Sequence, residues 1–251
     1  MAAWGKQKVT AMNQGKKLVL FDIDGTLIRA QRMEDNLQRF PYAIKKVFGV
    51  DIGVFTMARW KSKNFNGMGD RYILREFTKE YGITTDALLD RIGDIGDAFA
   101  EYLDSIKNGG PSYAVIPDAK TLVNKVIAAE HLSEGVLTGN LGPAASWKLR
   151  SAGLPDIAFG VYGHEADERN DLARLIPPKA KAYFGREFAP RDIIIIGDTV
   201  RDAECARVIG ATVIIVSTGW EVTKEDFAEF PPDLHVDSLM DEKVLTLLGL
   251  Q

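Results

Sequence analysis

Apolar positions along the chain switch period several times, and the switches outline the architecture. Residues 17–23 (Lys-Leu-Val-Leu-Phe-Asp-Ile) form a continuous β-favouring apolar run, as expected of a strand buried on both faces of a parallel sheet. From about residue 32 to 108 the pattern becomes helical. Leu37, Phe40, Ile44 and Val47 recur at helical spacing and stop at Gly49, a short helix is predicted over 54–61, and Ile73, Phe77 and Tyr81 recur every four residues up to Gly82. Leu88, Ile92, Ile95, Phe99, Tyr102 and Ile106 predict one long amphipathic helix, and Asn108-Gly109-Gly110-Pro111 breaks it. No strong strand pattern appears in this block. Strands and helices then alternate. Strands are predicted at 135–140, 157–162, 192–196, 212–216 and 234–236. Helices are predicted after Pro117-Asp118, after Pro143, over 170–185 with a bend or restart at Pro177-Pro178, over 200–209 and over 244–250. Such alternation predicts an α/β fold with a parallel sheet covered on both faces. The helical block interrupts it just after the first strand, so it reads as an inserted all-helical domain over the carboxyl ends of the strands, where open α/β sheets bind ligands.

Composition leaves this picture intact and removes several function classes. The chain has 251 residues, 46% hydrophobic and 26% charged, with a net charge of −4. That balance supplies no basic field for nucleic acid or an anionic membrane. No segment reads as a membrane span or as the apolar core of a signal peptide, and residues 1–15 lack periodicity and read as a loose tail on which Trp4 is the one candidate for docking. Cys205 is the only cysteine, which fits a reducing compartment; the expectation is a cytoplasmic protein.

Polar signals cluster where the predicted strands end. The first strand runs into Asp22-Ile23-Asp24-Gly25-Thr26, whose two carboxylates imply a bound metal ion or a shared proton, and Gly25 allows a sharp turn away. Later strands end in Thr138-Gly139-Asn140, in Gly163-His164-Glu165 with Arg169 close behind, and in Gly197-Asp198-Thr199-Val200-Arg201-Asp202. In a parallel sheet these ends share one edge, so Asp22, Asp24, Thr138, Asp198 and Asp202 are expected to converge. Three or more carboxylates with no Cys/His spacing for zinc suit a hard cation such as Mg²⁺.

Asp22-Ile23-Asp24-Gly25-Thr26, Leu137-Thr138-Gly139-Asn140 and Gly197-Asp198-Thr199-Val200-Arg201-Asp202, in this order and spacing, resemble the motifs of the haloacid dehalogenase superfamily, and the helical block resembles that superfamily's cap. The resemblance implies a Rossmann-like three-layer core (16–31 and 113–251) with an inserted helical cap (32–112). It implies Mg²⁺-dependent hydrolysis of a small phosphomonoester, of the phosphoglycolate or sugar phosphate type, with a phosphorylated metabolite as partner. Asp22 would be the nucleophile and Asp24 the acid and base. Asp22, the Asp24 carbonyl and Asp198 would bind the metal, and Asp202 would anchor its waters. Thr138 would hold the phosphate with Gly139, Asn140 and Gly25. A phosphomutase is the first alternative, followed by a 2-haloacid dehalogenase and a non-catalytic binding protein; Asp24 favours phosphate chemistry because a halide needs no proton. Many members carry Lys-Pro after the third strand, whereas this chain reads Asp167-Glu168-Arg169-Asn170-Asp171. Arg169 is therefore the expected catalytic cation, at a strand end, and Lys148, expected on a helix surface, is the alternative. The Phe65-to-Asp70 stretch resembles a substrate-facing cap loop, with Asn66 and Arg71 as candidate leaving-group contacts. His164 and Trp220 are further candidates for the pocket wall.

Overall fold

The computed structural model describes residues 16–65, 67–110, 112–218 and 223–250. Trp4, Asn66 and Trp220 lie outside the described residues.

Six strands form one parallel sheet in the order β5-β4-β1-β6-β7-β8: β1 (Lys17–Phe21), β4 (Leu132–Thr138), β5 (Gly160–Tyr162), β6 (Ile193–Gly197), β7 (Thr212–Val216) and β8 (Leu234–Val236). β1 lies inside the sheet, with Phe21 in register with Val136 on one side and Ile196 on the other. Its side chains alternate between two cores, as the period of a strand requires. Leu18 and Leu20 pack with Ile193, Ile195 and residues of α9 (Arg169–Phe184) and α10 (Val200–Ile209). Val19 and Phe21 face the opposite layer, built from α7 (Ala119–Ala128), α8 (Gly142–Ser151) and α11 (Glu242–Leu248). This is the three-layer core that the alternation predicts.

Between the first and second core strands stand six helices: α1 (Met33–Leu37), α2 (Arg39–Phe48), α3 (Met57–Ser62), α4 (Asp70–Thr78), α5 (Thr85–Asp90) and α6 (Ile92–Ser105). Their shared interior is aromatic: Phe55 lies 4.1 Å from Phe77 and Phe40 lies 5.0 Å from Phe99, centroid to centroid and edge-to-face, the geometry that ring quadrupoles favour.

Two local expectations differ from the structure, and one strand pair was not anticipated. The long helix expected from Leu88 to Ile106 is two helices, because Arg91 leaves helical geometry at φ −113° and ψ 13°. Gly96 of α6 serves the packing against the core: a Cβ there would come 3.1 Å from Pro143 Cδ of α8. The chain does not restart at Pro177-Pro178: α9 runs through both prolines, with Leu172, Ala173, Ile176 and Ala180 of its buried face set against the sheet. Finally, β2 (Ile28–Ala30) and β3 (Tyr113–Val115) pair antiparallel where the chain leaves and re-enters the core. Three residues each are too few for a periodic signal.

Candidate active site

The registered strand ends bring the predicted polar residues to one edge. Asp22 follows β1 directly, and its backbone N–H donates to the Ile196 carbonyl of β6 at 2.9 Å, so it stands beside Gly197-Asp198. One carboxylate oxygen each of Asp22, Asp198 and Asp202 lie within 4.8 Å of one another. Asp202 is held rigidly: its Oδ2 accepts from the Asp198 and Thr199 N–H groups at 3.2 and 3.1 Å and from the Thr199 hydroxyl at 2.7 Å, closing a capping box on α10. Asp198 Oδ1 accepts from the Thr26 hydroxyl at 3.0 Å, whereas its Oδ2 is buried without a hydrogen-bond partner. Gly25, at φ +90°, leaves room for that oxygen, since a Cβ there would lie 2.2 Å from it. An orphaned buried carboxylate oxygen facing two other carboxylates fits a hard divalent cation, which Asp22 and Asp198 would ligate as oxygen donors, while Asp202, its oxygens taken by Arg169 and the capping box, would anchor the ion's waters.

Electrostatics support the same fit. Burial pushes the Asp22 carboxyl up to about 7; Arg169 opposes the shift, while Asp202 and Asp24 add to it. Asp198 is raised well above the usual carboxylate range by burial and then by Asp202 and Asp22. Carboxylates crowded in this way are relieved by a cation between them.

Arg169 is the first residue of α9 rather than a loop residue. Its Nη2 donates to Asp22 Oδ1 at 3.2 Å, to the Leu137 carbonyl at 3.0 Å and to Asp202 Oδ1. Lys148 is not on a helix surface: it is 2% exposed and donates to Asp24 Oδ2 at 2.7 Å. Burial is the largest influence and raises the Asp24 carboxyl, but Lys148, the Asn140 amide and Arg39 together hold it below its ordinary value. The two cations thus divide between the two aspartates of the first motif.

Residues 16–210 match the family of haloacid dehalogenase-like hydrolases. The chain belongs to this family. Among similar solved structures is CbbY from Rhodobacter sphaeroides in complex with phosphate, 21% identical, covering 93% of this chain and 99% of that one at a TM-score of 0.65. A mutant of the same protein, solved with xylulose-(1,5)bisphosphate, matches at 21% identity, 93% and 99% coverage and a TM-score of 0.64. A predicted phosphoglycolate phosphatase from Haemophilus somnus is 19% identical over 93% of this chain and 99% of its own, at a TM-score of 0.61. These likenesses establish the haloacid dehalogenase fold with its helical cap.

The cap meets the core at the Thr138 loop. Asp70, the first residue of α4, donates its N–H to the Gly139 carbonyl at 2.8 Å, and its carboxylate accepts from the Leu141 N–H at 3.0 Å and from Arg39 Nη2 at 3.0 Å. Gly139 is required here, because a Cβ would come 2.8 Å from the Gly69 Cα. The glycines of the 65–70 stretch therefore seat the cap on the core. Arg71 pairs with Asp167 at 2.8 Å and donates to the His164 carbonyl at 3.2 Å, and Arg75 pairs with the same Asp167 at 2.6 Å. His164 stacks on Tyr162, with ring centroids 5.9 Å apart, beside the start of α8. Sequence reasoning missed Arg39 and Asp70. Both are buried, at 6% and 4% exposure, and the one available signal was an Asp immediately after Gly69 at a helix start.

Proposed function

We propose that the protein is a Mg²⁺-dependent phosphomonoesterase that works through a phosphorylated Asp22. The observation that carries this reading is the pair of aspartates in unlike surroundings. Asp22 borders Arg169 and the carboxylate trio, while Asp24 is held through one oxygen and keeps its side chain 41% exposed. Two carboxylates in contrasting environments suit two roles.

In the first step an Asp22 oxygen bonds to phosphorus as the bond to the leaving oxygen breaks, and Asp24, ionised beside Lys148, passes to that oxygen a proton brought in by the phosphate monoester monoanion. In the second step Asp24 takes a proton from water, the water oxygen bonds to phosphorus, and the Asp22–phosphorus bond breaks. Arg169, buried between Asp22 and Asp202, keeps the nucleophile oriented and offsets its charge. The Thr138 hydroxyl and the Gly139 backbone N–H hold phosphate oxygens, whereas the Gly25 N–H is taken by the Ile28 carbonyl at 2.8 Å and the Asn140 N–H by Thr138 Oγ1 at 3.2 Å, so these two shape the loop around the phosphate. When bound at Asp22, the Asp24 carbonyl and Asp198, with Asp202 holding its waters, Mg²⁺ supplies charge neutralisation between an anionic nucleophile and an anionic substrate. The helical cap excludes water from the bound ester. The phosphate and sugar bisphosphate seen with CbbY support a small phosphorylated metabolite as substrate. The single buried cysteine, Cys205, fits a cytoplasmic setting.

A panel of phosphomonoesters assayed with Mg²⁺, with a 2-haloacid as control, tests the reading. Asp22→Asn is expected to lower turnover by on the order of 10⁶-fold, the scale seen when a covalent nucleophile is removed. Unchanged turnover of a phosphate ester by this variant, or halide release from the control, would refute it.

A further inference from the structure

Lys148 and Asn140 are hydrogen-bonded to each other and to Asp24, and the direction of each bond is forced. The Lys148 ammonium can only donate. It donates to Asp24 Oδ2 at 2.7 Å and to Asn140 Oδ1 at 2.6 Å, and its charge lies 5.1 Å from the Tyr113 ring centroid. Because the atom of Asn140 that meets Lys148 must be its oxygen, the amide NH₂ is turned the other way. That group donates to Asp24 Oδ2 at 2.7 Å and to Thr138 Oγ1 at 2.8 Å. The Asn140 backbone N–H donates to the same Thr138 oxygen at 3.2 Å. With two donors on its oxygen, the Thr138 hydroxyl must direct its own proton away from Asn140.

We infer that Lys148 and Asn140 are positioning residues that align the proton donor and the phosphate donor of the site as one unit. Lys148 fixes the orientation of the Asn140 amide. Asn140 aims the Thr138 hydroxyl at the phosphoryl group. Together they hold Asp24 by Oδ2, so that Oδ1 faces the leaving oxygen. This assigns Lys148 to Asp24 and Asn140, with which it shares its two hydrogen bonds, rather than to phosphate. The inference rests on the phosphatase reading for its chemistry, although the geometry stands apart from it.

Leaving-group dependence separates positioning of Asp24 from a general structural role. In the transfer step the bond from phosphorus to the leaving oxygen breaks and the Asp24 proton goes to that oxygen. An alkoxide needs this proton, whereas p-nitrophenolate leaves without it. The quantity kcat/KM covers the steps up to leaving-group departure and is compared for an alkyl phosphate and p-nitrophenyl phosphate. Lys148→Met is expected to lower kcat/KM on the alkyl ester by on the order of 10²-fold, the scale of misplaced acid catalysis, and on the aryl ester by less than about tenfold. Lys148→Arg is expected to recover part of the alkyl loss, and Asn140→Ala to lower both esters because Thr138 loses its direction as well. A denaturant double-mutant cycle of Lys148→Met and Asp24→Asn gives a readout independent of turnover, with Lys148→Gln replacing Lys148→Met if the latter does not fold. The two changes are expected to be strongly non-additive. Equal losses on the two esters or an additive cycle would overturn the inference. Failure of the unaltered protein to hydrolyse either ester would overturn the phosphatase reading instead, and the cycle would still decide the role of Lys148.

Discussion

Gly25 shows how tightly one position can be constrained. Its φ of +90° is a conformation that a side chain resists, and an added Cβ would lie 2.2 Å from Asp198 Oδ2, the orphaned oxygen of the carboxylate trio. Gly25→Ala must therefore displace either the turn after Asp24 or the Asp198 carboxylate. Divalent-metal affinity, read by calorimetry, is expected to fall by about 10–100-fold, the range found when the support of a metal ligand is lost. Unchanged affinity would mean that Asp198 does not face the ion. The turn at Gly25 was legible from its place after a strand; the crowding against a residue 173 positions away was not. The same limit applies to Lys148. A lysine in a helix pattern reads as solvated, and only the fold brings it to Asp24, 124 positions earlier in the chain. Asp22, Asp24, Thr138 and Asp198 were legible because each follows or ends an apolar run, where a polar residue needs an external reason, and Asp202 because it closes the polar motif that Asp198 begins. Arg39 and Asp70 were not, since their neighbours Phe40 and Ile73 carry the periodic signal and the two polar residues meet only through packing.

At the level of elements, the seat of the cap is a three-way junction. Asp70 opens α4, Arg39 opens α2, and Leu141 precedes α8; the Asp70 carboxylate accepts from the other two. The Arg39 guanidinium also lies 4.4 Å from the Phe40 ring centroid, with its Nη1 on the Asn36 carbonyl at 2.9 Å. Removing one partner of such a buried pair strands the other charge. Asp70→Ala is expected to cost about 3–5 kcal/mol in denaturant unfolding, and the apolar double replacement Arg39→Met with Asp70→Leu to recover most of that loss. A single-variant cost below about 1 kcal/mol, the scale of exposed pairs, would show that the junction contributes little. Element-level legibility followed the strength of the pattern. β6, β7 and α10 stand where apolar runs and a terminal glycine put them, whereas the three-residue strands β2 and β3 carry too short a pattern to detect. The split between α5 and α6 and the unbroken α9 reflect tertiary contacts overriding local propensity, as at the Gly96–Pro143 approach.

Across the whole molecule, the crowded carboxylates tie folding stability to pH and to metal. Asp22 is raised from an ordinary value of 3.8 to about 7, and Asp198 is raised as well. Without a cation, the folded chain keeps protons that the unfolded chain has already released. Its stability therefore falls as pH climbs through the window from about 4 to about 7, and the deficit persists above it. Asp24 acts in the opposite sense but only in stronger acid, because, against burial, Lys148, the Asn140 amide and Arg39 together hold it below 3.8. A divalent cation needs Asp22 and Asp198 ionised, so at low pH it must displace their protons to bind, while above the window it binds carboxylates that are already charged and repelling one another. Ligand that binds only the folded state stabilises it by RT ln(1 + [L]/Kd) and so raises the melting temperature. The gain in melting temperature on adding Mg²⁺, measured by scanning calorimetry against a chelator control, is thus expected to be larger at about pH 8 than at about pH 5, and Asp198→Ala to abolish the difference. An equal gain at the two pH values would separate the cation from these carboxylates, and it would leave the orphaned Asp198 oxygen without its chemical reason.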